Sequence, residues 1–149
     1  MNTLSQYNEP SSAPTNWPDR QRLALSIVVN VEEGAEQSVR DGDPRPEPVD
    51  ELGVVLRKPQ RNLANESNYR YGIQAGAPRI LALLAEKNVT ATFTCAALSL
   101  ERAPDLAEQI IASGHEVCAH GLRWTHQHRM NESEERAFIN ATIESITTK

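Results

Sequence analysis

The stretch "IQAGAPRILALLAEKNVTATFTCAALSLERAPDLAEQIIASGHEVCAHG", Ile73 to Gly121, switches its hydrophobic period repeatedly, and the switching decides the fold. Ile73, Ala77, Ile80, Leu81 and Leu84 recur at helical spacing, and Asn88 supplies a stop. Then Val89, Ala91, Phe93 and Cys95 alternate with three threonines, the pattern of a strand. "RAPDLAEQIIASG" reads as a second helix, with Pro104 in its first turn and Gly114 beyond its end. "HEVCA" is a short buried strand that delivers His120 at its carboxyl end.

Outward from this stretch the alternation continues. "RLALSIVVNV" (Arg22–Val31) is a near-continuous, β-branched apolar run, as expected of a strand buried on both faces. Residues 35–70 hold Pro44, Pro46, Pro48 and Pro59 among many charges and read as one long loop. After "HGLRW", "NESEERAFINATIESI" opens with Asn131 and Glu134 in capping-box spacing, with Ile139, Ile143 and Ile146 on its apolar face. The order strand, loop, helix, strand, helix, strand, loop, helix defines an α/β fold of parallel strands with helical crossovers. The expected architecture is a partial (β/α) barrel over residues 21–149, truncated after about three strand–helix units, behind a flexible segment at 1–20.

Composition narrows the function classes. With 39% hydrophobic residues the chain can build a core. Its net charge of -5 and scattered basic residues leave no nucleic-acid footprint. No apolar run is long enough for a bilayer, and "MNTLSQYNEPSSAPTNWPDR" lacks the basic start and apolar centre of a signal peptide. A cytoplasmic protein with no membrane partner is expected, with Cys95 and Cys118 as buried free thiols.

In α/β folds of this kind, sites form at the carboxyl ends of the strands. That places "VNVEEG" and "AHGLRW" on one rim. Glu32 and Glu33 sit where both side chains can turn toward the mouth, or they form a solvated acidic turn. Two nearby carboxylates repel, which favours a base near neutral pH. Arg123 can bind a carbonyl or carboxylate while Trp124 walls the pocket; otherwise the tryptophan packs the loop and the arginine faces water. Zinc would find three ligands in His120, His126 and one of the two glutamates. His126 and His128 also fit a solvent-facing loop, and His115 lies at the far end of its strand. Arg70 and Tyr71 close the long loop.

The "EEG" corner, "NVTATFTC" and "ASGHEVCAHG" together resemble the polysaccharide deacetylase superfamily, the NodB-homology fold. The resemblance makes Glu32 the counterpart of the catalytic base and Glu33 that of the metal-binding aspartate. Metal-dependent members carry a second histidine four residues after the first, where this chain has Trp124. "VNVEEG", "HGLRW" and "ESNYRYG" are more similar to the PuuE-type allantoinase branch, which works without a metal. That implies a C–N bond hydrolase acting on a small ureide or amide, without cofactor, and a homo-oligomer at full length. Glu32 would activate water, His120 and Arg123 would polarise the carbonyl, and Glu33 would hold the site or the substrate's N–H groups. The alternative is a zinc deacetylase of N-acetylated sugars built on Glu33, His120 and His126. The chain as given is expected to be incomplete and inactive, with further catalytic residues beyond Lys149, and a third possibility is a non-catalytic fragment.

Overall fold

Three parallel strands, β1 (Val28–Val31), β2 (Thr92–Cys95) and β3 (Glu116–Ala119), form a sheet in the order β1-β2-β3 in the computed structural model of the chain. The structure describes residues 17–18, 21–48, 53, 55–56 and 58–148; apart from 17 and 18, the expected flexible lead-in lies outside them. The register pairs Val31 with Cys95 and Cys95 with Ala119, so all three strands end level. The amides of Ala96 and His120 extend the ladder, donating to the carbonyls of Val31 (2.9 Å) and Cys95 (2.8 Å). The residues that follow β1 and β3 are therefore level with each other, on either side of the end of β2.

The crossover from β1 to β2 ends in a long helical segment. Asn62 caps α1 (Leu63–Tyr71) by accepting from the Asn65 amide. A π-helical turn (Gly72–Gly76) then leads into α2 (Ala77–Lys87). The π turn precedes Pro78, which has no amide to offer an α-type bond, and the Ala77 amide donates instead to Gly72. Asn88, in the left-handed conformation at φ 50°, ends α2 as its spacing suggested. Helix thus begins at Leu63 rather than Ile73, because "LANESNYRY" is too polar to show an apolar stripe.

After β2, a short helix that periodicity does not reveal, α3 (Ala97–Arg102), precedes α4 (Pro104–Ala112). Its leading amides, Ala97 and Leu98, donate to the carbonyls of Gly121 and Leu122, so α3 is stitched to the chain just beyond His120. The last helix, α5 (Glu132–Thr147), opens with the expected capping box between Asn131 and Glu134.

One face of the sheet holds the core. Val31, Phe93 and Cys95 pack with Leu81 and Leu84 of α2, Leu100 of α3, and Leu106 and Ile110 of α4. Phe93 and Ile110 are fully buried, each contributing about 1.5–3 kcal/mol by area. The other face is open, which corrects several expectations. Leu23, Leu25 and Val28 are exposed, so the first strand is short and one-sided. β3 is largely exposed as well, and Cys118 on it is an exposed free thiol, while Cys95 is free and buried. On α5, Thr142 is the buried position and Ile139 and Ile143 face outward.

Candidate active site

Glu32 follows β1 and His120 follows β3, and the level strand ends bring them together. Glu32 Oε1 lies 3.5 Å from His120 Nε2, with both side chains partly open to solvent. Directly after His120, Gly121 takes φ 79°, a conformation that disfavours a side chain. A Cβ there would also meet the Phe138 ring of α5 at 3.3 Å. The turn sends the chain back across the rim, and "LRWTH" becomes the wall of a cleft of about 600 Å³. Glu32, His120, Trp124 and His126 line it.

Glu33 does not join them. Successive side chains at an extended strand end point to opposite sides. The Glu33 carboxylate lies against Gly72 instead: a Cβ on Gly72 would fall 2.6 Å from its Oε1. It borders a separate cavity of about 210 Å³ with Ser99 and Arg102. The expected convergence of both glutamates with His120 is thus corrected to Glu32 and His120 alone.

Arg123 borders the cleft, but its guanidinium is occupied. Nη1 and Nη2 form a fork on the Asp43 carboxylate at 2.9 and 2.8 Å, and Nη2 also reaches the Glu36 carbonyl. The Arg123 hydrogen bonds hold the Asp43 carboxyl below its ordinary range; burial opposes this, and the Ser38 amide adds to it. Arg123 therefore fastens the Ser38–Asp43 loop to the rim. Trp124 walls the cleft and meets Tyr69 of α1 edge to face at 5.7 Å, its amide donating to Ala35. Its Nε1 is buried without a hydrogen-bond partner among the described residues.

His126 and His128 stand with ring centroids 5.5 Å apart, but only His126 borders the cleft. Among the described residues no three His, Cys, Asp or Glu side chains are grouped to hold a metal ion. The zinc set of Glu33, His120 and His126 does not fit, because Glu33 belongs to the other cavity. His115 is structural: it accepts from the Ala91 amide and packs on Phe93.

Further cleft residues, which the sequence patterns do not single out, come from the long loop and from the turn before α5. "DPRPEP", Asp43 to Pro48, carries Arg45 and Glu47 onto the cleft. Alternate prolines stiffen such a segment toward extended backbone, and that was the available signal. The Glu47 amide donates to the Gln37 carbonyl (2.8 Å), and the Gln37 amide donates to the Glu47 carboxylate (3.3 Å), clamping it in place. Arg129, on the 3₁₀ turn Gln127–Arg129, borders the cleft too.

Level parallel strands with an acid after β1 and an imidazole after β3, meeting across the end of β2, place the chain in the NodB-type α/β fold class. The polysaccharide deacetylase family model matches residues 67–149, and the chain belongs to that family. It is 32% identical over 135 residues to a Schizosaccharomyces pombe (strain 972 / ATCC 24843) protein described as "Putative polysaccharide deacetylase", covering 87% of this chain and 42% of that protein. Among solved structures, PuuE allantoinase superposes with a TM-score of 0.83 at 35% identity, over 95% of this chain and 47% of the other. A probable polysaccharide deacetylase from Pseudomonas aeruginosa PAO1 gives a TM-score of 0.81 at 36% identity, over 89% and 45%. The chain spans less than half the length of these relatives. Among the described residues no helix is long and apolar enough to cross a membrane.

Proposed function

We propose that the chain carries the acid–histidine part of the site of a hydrolase for non-peptide C–N bonds, acting without a metal on a cyclic ureide or amide such as allantoin. The observation that carries this reading is the 3.5 Å approach of Glu32 to His120 at the head of the cleft, with Glu33 turned away. The likeness to PuuE allantoinase supports the substrate class.

Glu32 takes a proton from a water molecule, whose oxygen attacks the carbonyl carbon. His120 donates from its imidazole toward the developing oxyanion, where a fixed donor counts most. The C–N bond then breaks, and the proton held by Glu32 passes to the leaving nitrogen. Trp124, packed on Tyr69, offers an apolar wall against which a flat ring can lie.

The family match favours a second reading, a deacetylase of N-acetylated sugars, and His126, which lines the same cleft as His120, would serve it. Parallel assays of allantoin ring opening and of acetate release from N-acetylated sugars separate the two. Ring opening is the expected activity; acetate release with no ring opening would transfer the site to the deacetylase reading.

A further inference from the structure

With Arg123 committed to Asp43, two other guanidiniums face the cleft. Arg45 comes from the proline-flanked loop and Arg129 from the turn before α5, so two separate segments bring them to the cleft. Both are exposed, and neither makes a hydrogen bond or ion pair among the described residues. The backbone around Arg45 is held by the Gln37–Glu47 clamp, which keeps that loop over the cleft. Glu47 is drawn to the Gln37 amide, which leaves Glu32 as the carboxylate at the reacting end.

We propose that Arg45 and Arg129 are a carboxylate-recognition pair at the cleft mouth, binding the carboxylate that ring opening creates. This rests on the C–N hydrolase reading. When water cleaves an acyl C–N bond, its oxygen ends on the carbonyl carbon and one of its protons on the nitrogen. The new carboxylic acid releases the other proton at neutral pH. The neutral ring thus becomes an anion within the cleft. A guanidinium fork matches a carboxylate's two oxygens, whereas a neutral ring offers it only a carbonyl. The two arginines would also favour any ring that already carries a carboxylate, and the probes distinguish these sources.

Calorimetric titration of the protein with N-carbamoylglycine, hydantoin and hydantoin-5-acetic acid tests the pair. N-carbamoylglycine, the ring-opened acid, is expected to bind about tenfold tighter than neutral hydantoin, and to lose most of that advantage in 0.5 M NaCl. R45Q/R129Q should lose the advantage while keeping hydantoin affinity, and R45K/R129K should restore part of it. Both side chains are exposed, so an unchanged circular dichroism melt is the expected control. Unchanged N-carbamoylglycine affinity in R45Q/R129Q overturns the pair, as does wild-type protein that binds neither acid. Arginine-dependent binding of hydantoin-5-acetic acid without that of N-carbamoylglycine overturns the product assignment. If arginine-dependent binding holds but no ureide ring is opened, the pair stands and the hydrolase reading falls. If rings open normally while the variant binds the acid as wild type does, the pair alone falls.

Discussion

Glu33 and Gly72 are in contact across the crossover: the glutamate's carboxylate fills the space that a side chain on Gly72 would need. This fixes the direction of Glu33 and, through the chain, sends Glu32 to the opposite side. A π-helical turn begins at that glycine, and its missing Cβ lets the strand end and the helix approach.

Gly72→Ala should therefore destabilise the protein by about 1–3 kcal/mol, the range for overpacking, although alanine is the better helix former. In a Glu33→Ser background the same change should turn neutral or stabilising, by up to about 1 kcal/mol. Urea denaturation of the four proteins gives the coupling energy. Additive effects would mean that the contact does not exist.

The Arg123–Asp43 fork makes a prediction for acid. Asp43 has its pKa lowered by Arg123 in the folded state, so it contributes stability above its unfolded value that is lost as pH falls through the folded one. Asp41 and Glu66, lowered by Arg40 and Arg61, act with the same sign. Stability should thus fall below about pH 4. The fall should be shallower in Asp43→Asn, as read from melting temperature against pH. Equal slopes in the two proteins would remove Asp43 from the account.

The thiols should differ sharply. Cys118 is exposed on β3 and should react with iodoacetamide in the native protein. Cys95 lies in the core, and burial pushes its thiol up to about 12, so it should remain unmodified until the protein is unfolded. Peptide mapping after alkylation with and without denaturant reads both sites. Native labelling of Cys95 would contradict the packing of β2.

Much of this was legible in the residues, and the failures share a physical cause. Periodicity placed α2, α4 and the cap of α5, because those helices turn an apolar stripe or a capping pair toward one side. It overextended the first strand, since a continuous apolar run such as "LALSIVV" does not say which faces are covered. The strand-end rule placed Glu32 and His120 on one rim, because parallel register is set by backbone and needs no side-chain detail. The directions of Glu33 and Arg123 were hidden, because each depends on a distant partner, Gly72 or Asp43. Arg45 and Arg129 sit in irregular segments, where spacing carries no directional information.

Under the proposed function, replacing the groups proposed to react, in the full-length protein, should separate them from the bystanders. Glu32→Gln should lower turnover by roughly a hundredfold or more, the usual scale for a general base, and His120→Ala by a similar factor. His128→Ala, whose ring stays outside the cleft lining, should be nearly neutral in steady-state turnover of allantoin. A His128→Ala loss as large as that of His120→Ala would mean that the site extends along the loop.

The most direct test of the central claim is allantoin ring opening by protein treated with EDTA and shown by elemental analysis to be free of zinc. Glu32, paired with His120 at 3.5 Å, is proposed to activate water without a metal. Under the proposed function, the full-length protein is predicted to keep its rate after this treatment and to lose it in Glu32→Gln under the same conditions. Loss of activity with EDTA that returns on adding zinc, in a manner dependent on His120 and His126, would contradict it.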